Sequence, residues 1–535
     1  MEELTAPPAA ASRPATMARQ GMREIVLPVV VLLVILHILP LLTVQLLPPG
    51  VARYAIPGLL AATIALAYLV RPQAAVLSLV MFVLFYETTD TWLGEPIKQV
   101  DELAIPAIFL LALVQQRRNL RGLISPVRES AVAVLFVLAI VSSLASQVPL
   151  QVWAPGLLLL LKGIALFYVA LWLEVRPEHT TGAAYVVGGA AGLVAVGALL
   201  ELFTPQLLAT VGLGGGEARG SLPALRSVFF HPVMFAWFCT YIALFAHAHY
   251  VILRRRWMLA VGLFFSVGVF LSGRRRALLA LAAGLVAGLG WQLRQTRPAI
   301  AIRAWAPSGI GTLVLVIVFL PGLAGLVQLT SEQLGPILPG APTPDVVEPS
   351  LAPGETPPGD DPLGVQGGDV ARVALYRGSL AVARDYFPLG AGMGRYGSFM
   401  SRVEYSPLYQ QYGLSDVYGL RPRNPIFVTD TFWPQILGET GALGLAAYLV
   451  FVGYLFVSLW RSSTQVVTPL LRAFCLGALL IFVQALVESL ASPMFHSPPR
   501  AYLTLATVGA ALALARFAGR TDDTVAPTAD DEPAC

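Results

Sequence analysis

Leu271-Ser272-Gly273-Arg274-Arg275-Arg276-Ala277-Leu278-Leu279 sets three consecutive arginines between two long apolar runs, 257–272 and 277–293. A polar break between apolar runs reads as a loop joining two membrane spans, and the rest of the chain repeats that pattern. Of the 535 residues, 56% are hydrophobic and 12% are charged, with a mean hydropathy of +0.71. Soluble domains carry roughly 25% charged residues. The sequence therefore describes an all-α polytopic membrane protein.

A span needs about 20 mostly apolar residues. Fourteen runs approach that measure: 25–47, 51–70, 73–88, 103–116, 130–146, 155–174, 182–203, 232–252, 257–272, 277–293, 308–328, 432–460, 468–491 and 499–516. This gives an N-terminal tail (1–24), a first block of membrane helices (25–328), one large loop (329–431), a second block (432–516) and a C-terminal tail (517–535). Within the loop, 335–368 is rich in Pro, Gly and Asp without Lys or Arg and reads as disordered. Residues 369–387 read as an amphipathic helix, with Val373, Tyr376, Leu380, Ala383 and Phe387 on one stripe.

Basic residues in short loops favour the cytoplasmic side. With both tails cytoplasmic, 19 of the 35 Lys and Arg fall inside and eight fall in short outer loops. Arg274, Arg275 and Arg276 are three of those eight, and so depart from the bias. An anion at the outer face is the simplest reason for them. The net charge of +4 is spread over the ends of apolar runs, which excludes a nucleic-acid partner in favour of membrane lipids.

Three cysteines, two in apolar runs and one at the C-terminus, offer no plausible disulfide, and no His/Cys/Glu spacing matches a metal site. Gly212 to Gly216 lacks a following Lys-Ser/Thr and is a flexible stretch, not a nucleotide loop. His231-Pro232 reads as the cap of the following helix. Lys162, Glu201 and Glu488 lie near the outer ends of their spans and together suggest an outward-opening polar cavity, with snorkelling as the other reading for Lys162. Arg219 and Arg226 lie outside, close to a helix start. Tyr396, Phe399, Tyr405, Tyr409, Tyr412, Tyr418, Phe427 and Trp433 crowd the end of the loop. Such rings stack on sugars, or pack a small lid.

Four elements in order resemble the bacterial O-antigen ligase and polymerase family: Arg226 to Pro232, Arg274-Arg275-Arg276-Ala277, Pro388-Leu389-Gly390-Ala391-Gly392-Met393-Gly394, and Glu439 to Leu445. The resemblance covers roughly residues 220–500. Where the ligases carry His-Asn, this chain has Asp430-Thr431, which leans toward a polymerase or another glycan transferase. The resemblance implies a GT-C-like arrangement in the bacterial inner membrane with the large loop periplasmic. It implies a donor glycan on undecaprenyl diphosphate and an acceptor glycan or lipid A-core. No cofactor is implied, and other proteins of envelope polysaccharide assembly are expected partners.

On that reading Arg275 and Arg226 stabilise the departing diphosphate, which a planar guanidinium suits. Arg219, Arg274 and Arg276 assist them. Arg372, Arg377 and Arg395 clamp substrate from the loop, and Glu439 borders the site. Asp430 is either the base that takes the acceptor proton or the cap of the helix that follows. A multi-pass transporter of a small anionic solute is the alternative. The absence of an internal repeat and the scarcity of paired charges at mid-membrane speak against it.

Overall fold

The computed structural model describes residues 13–93, 95–118, 124–210, 217–219, 222–314 and 363–523. Eleven helices among them are long and apolar enough to cross a membrane: α1 (Thr16–Leu46), α2 (Gly50–Val70), α3 (Pro72–Thr89), α5 (Pro126–Ala145), α6 (Leu150–Trp172), α7 (Pro177–Phe203), α8 (Pro232–Leu253), α10 (Arg275–Leu293), α13 (Trp433–Gln465), α14 (Pro469–Ala491) and α15 (Arg500–Ala518). The chain is thus a multi-pass, all-α membrane protein.

Of the other three expected runs, two fall on helices short of a full span, and the third, 308–328, is described only to residue 314. α4 (Val100–Gln116) carries Asp101 and Glu102 in its first turn. α9 (Arg256–Leu271) has 16 residues. α11 (298–314) reaches the edge of the described residues. Residues 315–362, which hold most of the stretch read as disordered, lie outside them, as do the glycines 212–216.

Burial separates core from rim. In α8, 78% of the apolar window is buried, and Trp237, Phe235 and Phe238 are closed off. In α1 only 28% is buried, so its leucines and valines face outward as lipid contact demands. α8 packs on α9 and α14, α6 on α15, and α5 on α13. Among the described residues of 204–231 there is a small departure from all-α structure, the antiparallel pair Glu217–Arg219 and Leu222–Ala224.

One break in α13 organises the site. Gly441 has φ +67 and ψ −170, so the helix loses its regular ladder there. The carbonyls of Gly438 and Glu439 are released and need donors, because orphaned backbone groups are costly away from water. The glycine loop supplies them: Ala391 N–H donates to Gly438 O (2.8 Å) and Gly392 N–H to Glu439 O (3.0 Å). Ser142 Oγ, from α5, donates to Glu439 O as well (2.8 Å). The loop is thereby stitched into the bundle by its own backbone.

A Cβ on Gly441 would lie 2.3 Å from Pro388 O. Its backbone region is essentially glycine-only, costing about 1–3 kcal/mol for other residues. Gly441→Ala should therefore lower the thermal midpoint and open the 388–397 loop to protease. An unchanged melt and cleavage pattern would show that the break does not hold the loop.

The loop helix α12 (Leu363–Asp385) starts six residues earlier than expected, so 363–368 is helical, not disordered. Its stripe is also rotated from the expected one. The closed face is Ala371, Leu375, Ser379, Val382 and Ala383, while Leu380 and Phe387 are 64% and 72% exposed. Both faces carry apolar residues, and the partner decides between them: Tyr396 OH donates to Leu375 O (2.7 Å), and Leu375 packs with Tyr409 and Leu420.

Candidate functional site

Consecutive helical residues point about 100° apart, so three adjacent arginines cannot converge on one ligand. The triplet divides accordingly. Arg274 is the N-cap of α10. Arg276 Nη1 donates to Ala491 O (2.6 Å), at the C-terminal end of α14. Arg275 turns to the loop helix, with Nη2 3.5 Å from Asp369 Oδ2.

Asp369 is the hub of that encounter. Its Oδ1 also accepts from Arg372 Nη1 (2.6 Å), and Arg372 Nη2 donates to Asp430 Oδ2 (2.6 Å). The order is Arg275, Asp369, Arg372, Asp430: two cations alternating with two anions across α10, α12 and the entry to α13. All four side chains stay partly open, between 23% and 41% exposed, so a solute can reach them. Tyr376 OH donates to Leu490 O (2.9 Å) and ties α12 down beside the network.

Asp430 does not cap α13. The N-cap position is Phe432, without a side-chain cap, and the Asp430 carboxylate is spent on Arg372. Arg226 lies on the same face: Leu225 N–H donates to Leu271 O (3.0 Å), which sets its turn against the end of α9. Its guanidinium reaches toward Phe230 O (3.5 Å). His231 caps α8, as expected, with Nδ1 accepting from Val233 N–H (3.1 Å).

Several expected site residues do other work. Glu439 is 1% exposed and accepts from Tyr396 N–H (3.2 Å) and Gln435 Nε2 (3.3 Å), so its carboxylate holds the glycine loop from beneath. Glu201 accepts from Arg226 N–H (2.9 Å) and Ser227 N–H (2.6 Å) and fixes the turn. Arg377 lies on the exposed outer side of α12, and Arg395 is half-buried in the glycine loop. Arg219 ends the strand Glu217–Arg219, and its side chain lies outside what the structure describes. Tyr396 and Tyr409 are fully buried, with Tyr409 OH accepting from Gly397 N–H (2.8 Å), so they build the lid and offer no sugar platform.

Sequence reading missed Asp369, Arg500 and His496. Arg500 is buried, donating to Ser492 Oγ and to Ser497 Oγ (3.1 Å). His496 stacks beside Phe432, with ring centroids 5.7 Å apart. Burial first, then the charges of Arg500 and Lys162, push its pKa down to about 3, so it is neutral at ordinary pH. Deeper on the same face, Lys162 Nζ meets Asp101 Oδ2 at 2.7 Å, and Tyr502 OH donates to the same oxygen. Lys162 is therefore paired inside the bundle and does not snorkel.

Fold and site together define a multi-pass helical membrane protein whose one face carries an open arginine–aspartate network under a docked helix. No protein-family model matches the chain, and no curated protein is similar to it.

Proposed function

We propose that this protein is a bacterial inner-membrane glycan transferase. It moves a glycan from undecaprenyl diphosphate to an acceptor sugar hydroxyl at the periplasmic face, as an O-antigen or exopolysaccharide polymerase or as an O-antigen ligase. The observation that carries the reading is the Arg275–Asp369–Arg372–Asp430 network. It sets guanidiniums at the N-terminus of a membrane helix, where free backbone N–H groups also favour an anion.

In the reaction the acceptor oxygen bonds to the anomeric carbon as the bond from that carbon to the phosphate oxygen breaks. Charge grows on the departing diphosphate, and Arg275 and Arg372 stabilise it by charge-assisted bonds. The acceptor proton leaves to a carboxylate, and Asp430 fills that role once the arriving diphosphate takes a share of Arg372. Arg276, anchored on Ala491, adds positive potential without contact.

The test uses purified protein in liposomes with radiolabelled lipid-linked glycan. Formation of a longer or transferred glycan is the expected result. Uptake of label into the lumen without product would make the protein a transporter and overturn the reading.

A further inference from the structure

We infer that the Asp369 carboxylate occupies the seat of a diphosphate, so that the gap between the Arg275 and Arg372 guanidiniums is filled by an internal anion until substrate displaces it. The inference rests on the transferase reading for the identity of the lipid, but not for the chemistry of the seat.

The geometry is that of an anion held between two guanidiniums from different helices. One Asp369 oxygen lies 2.6 Å from Arg372 Nη1 and the other 3.5 Å from Arg275 Nη2. The two contacts are unequal: the short one is local, three residues along α12, and the long one crosses 94 residues of chain. A carboxylate spans the gap poorly. A diphosphate offers more acceptor oxygens and more charge, and so can serve both guanidiniums at full strength. Asp369 is 41% exposed, so displacing it requires only a rotation toward solvent, with no burial of its charge. Arg372 is then shared between the diphosphate and Asp430, and arrival of the anion is felt at Asp430 through one side chain. The surrounding cations fit an anionic guest. Arg276 and Arg500 stand near the network, with Glu488 as their counter-charge.

Removing the internal anion should tighten the seat. Full-length protein in nanodiscs is titrated with inorganic pyrophosphate, with and without undecaprenyl diphosphate in the bilayer. Asp369→Asn should bind pyrophosphate about two- to fivefold more tightly than wild type, the upper part of the range expected from an exposed competing ion pair. Asp369→Glu, which keeps the anion, should bind as wild type does, and Arg372→Gln should lose binding. Undecaprenyl diphosphate should compete in every variant that binds. Equal affinity in Asp369→Asn and wild type, with Arg372→Gln still defective, would overturn the role of Asp369 and leave the arginine site standing. Tightening in Asp369→Asn without competition by the lipid would uphold the seat and count against the lipid donor. No pyrophosphate binding in any variant would overturn both.

Discussion

Replacing Arg275 by lysine should lower glycan transfer by about 10²–10³, close to the loss from alanine, because a donor aimed at developing charge is worth that much. Lysine keeps the charge and loses the planar fork that can hold two oxygens at once. The position explains why its neighbours will not rescue it. Arg274 precedes α10 as its N-cap, and Arg276 is committed to Ala491 O. The Arg275 contact with Asp369 is an open one, with 31% of the arginine side chain exposed, so the protein should still fold and reach the membrane. The measurement is initial transfer rate in liposomes at matched protein content. Wild-type rate in Arg275→Lys would mean that a point charge suffices and that bidentate binding plays no part.

Asp101→Ala should be the most damaging single change to stability. Lys162 and Asp101 are 3% and 2% exposed, and the ammonium has its contact with Asp101 at 2.7 Å. Glu102, 3.9 Å away and 46% exposed, is a weak substitute. Removing one partner of a buried pair leaves an uncompensated charge, at a cost of about 3–5 kcal/mol. The pair joins α4, α6 and α15 through Tyr502, so the loss should loosen three helices together. The double variant Asp101→Leu with Lys162→Met removes both charges and should recover most of the midpoint, since apolar residues of similar size often match a buried pair. Thermal unfolding in detergent reads both. A single variant that melts like wild type would show that water or Glu102 already carries the lysine.

How much of this was legible in the residues follows from the range of each interaction. Spans are local, and hydropathy placed thirteen of the fourteen runs on helices, including α4 and α9 that fall short of a full crossing, while 308–328 lies mostly outside the described residues. The cap at His231 is local too, and the His-Pro pair announced it. The break at Gly441 was hidden because 432–460 reads as one apolar run, and nothing nearby shows that Gly390 packs against it. Asp369 sits at the end of a Pro/Gly/Asp stretch, where one more aspartate carries no signal. Its meaning comes only from Arg275, 94 residues earlier. The arginine triplet marked one end of the network in the sequence, but only the helix geometry shows that its three members diverge. The aromatic run was visible and its purpose was not, since a ring that packs a lid and one that holds a sugar look alike in sequence.

The central claim is that the arginine–aspartate network faces the outside of the cell. Arg423 is exposed at the turn closed by Arg421 and Asn424, in the same loop that brings Arg372 to the network. A cysteine placed there, with Cys535 changed to serine and the buried Cys239 and Cys475 retained, reports the side directly. The account predicts that a membrane-impermeant maleimide reaching only the periplasm labels Arg423→Cys before the inner membrane is permeabilised. Labelling only after that membrane is opened would place the network on the cytoplasmic face and contradict the account.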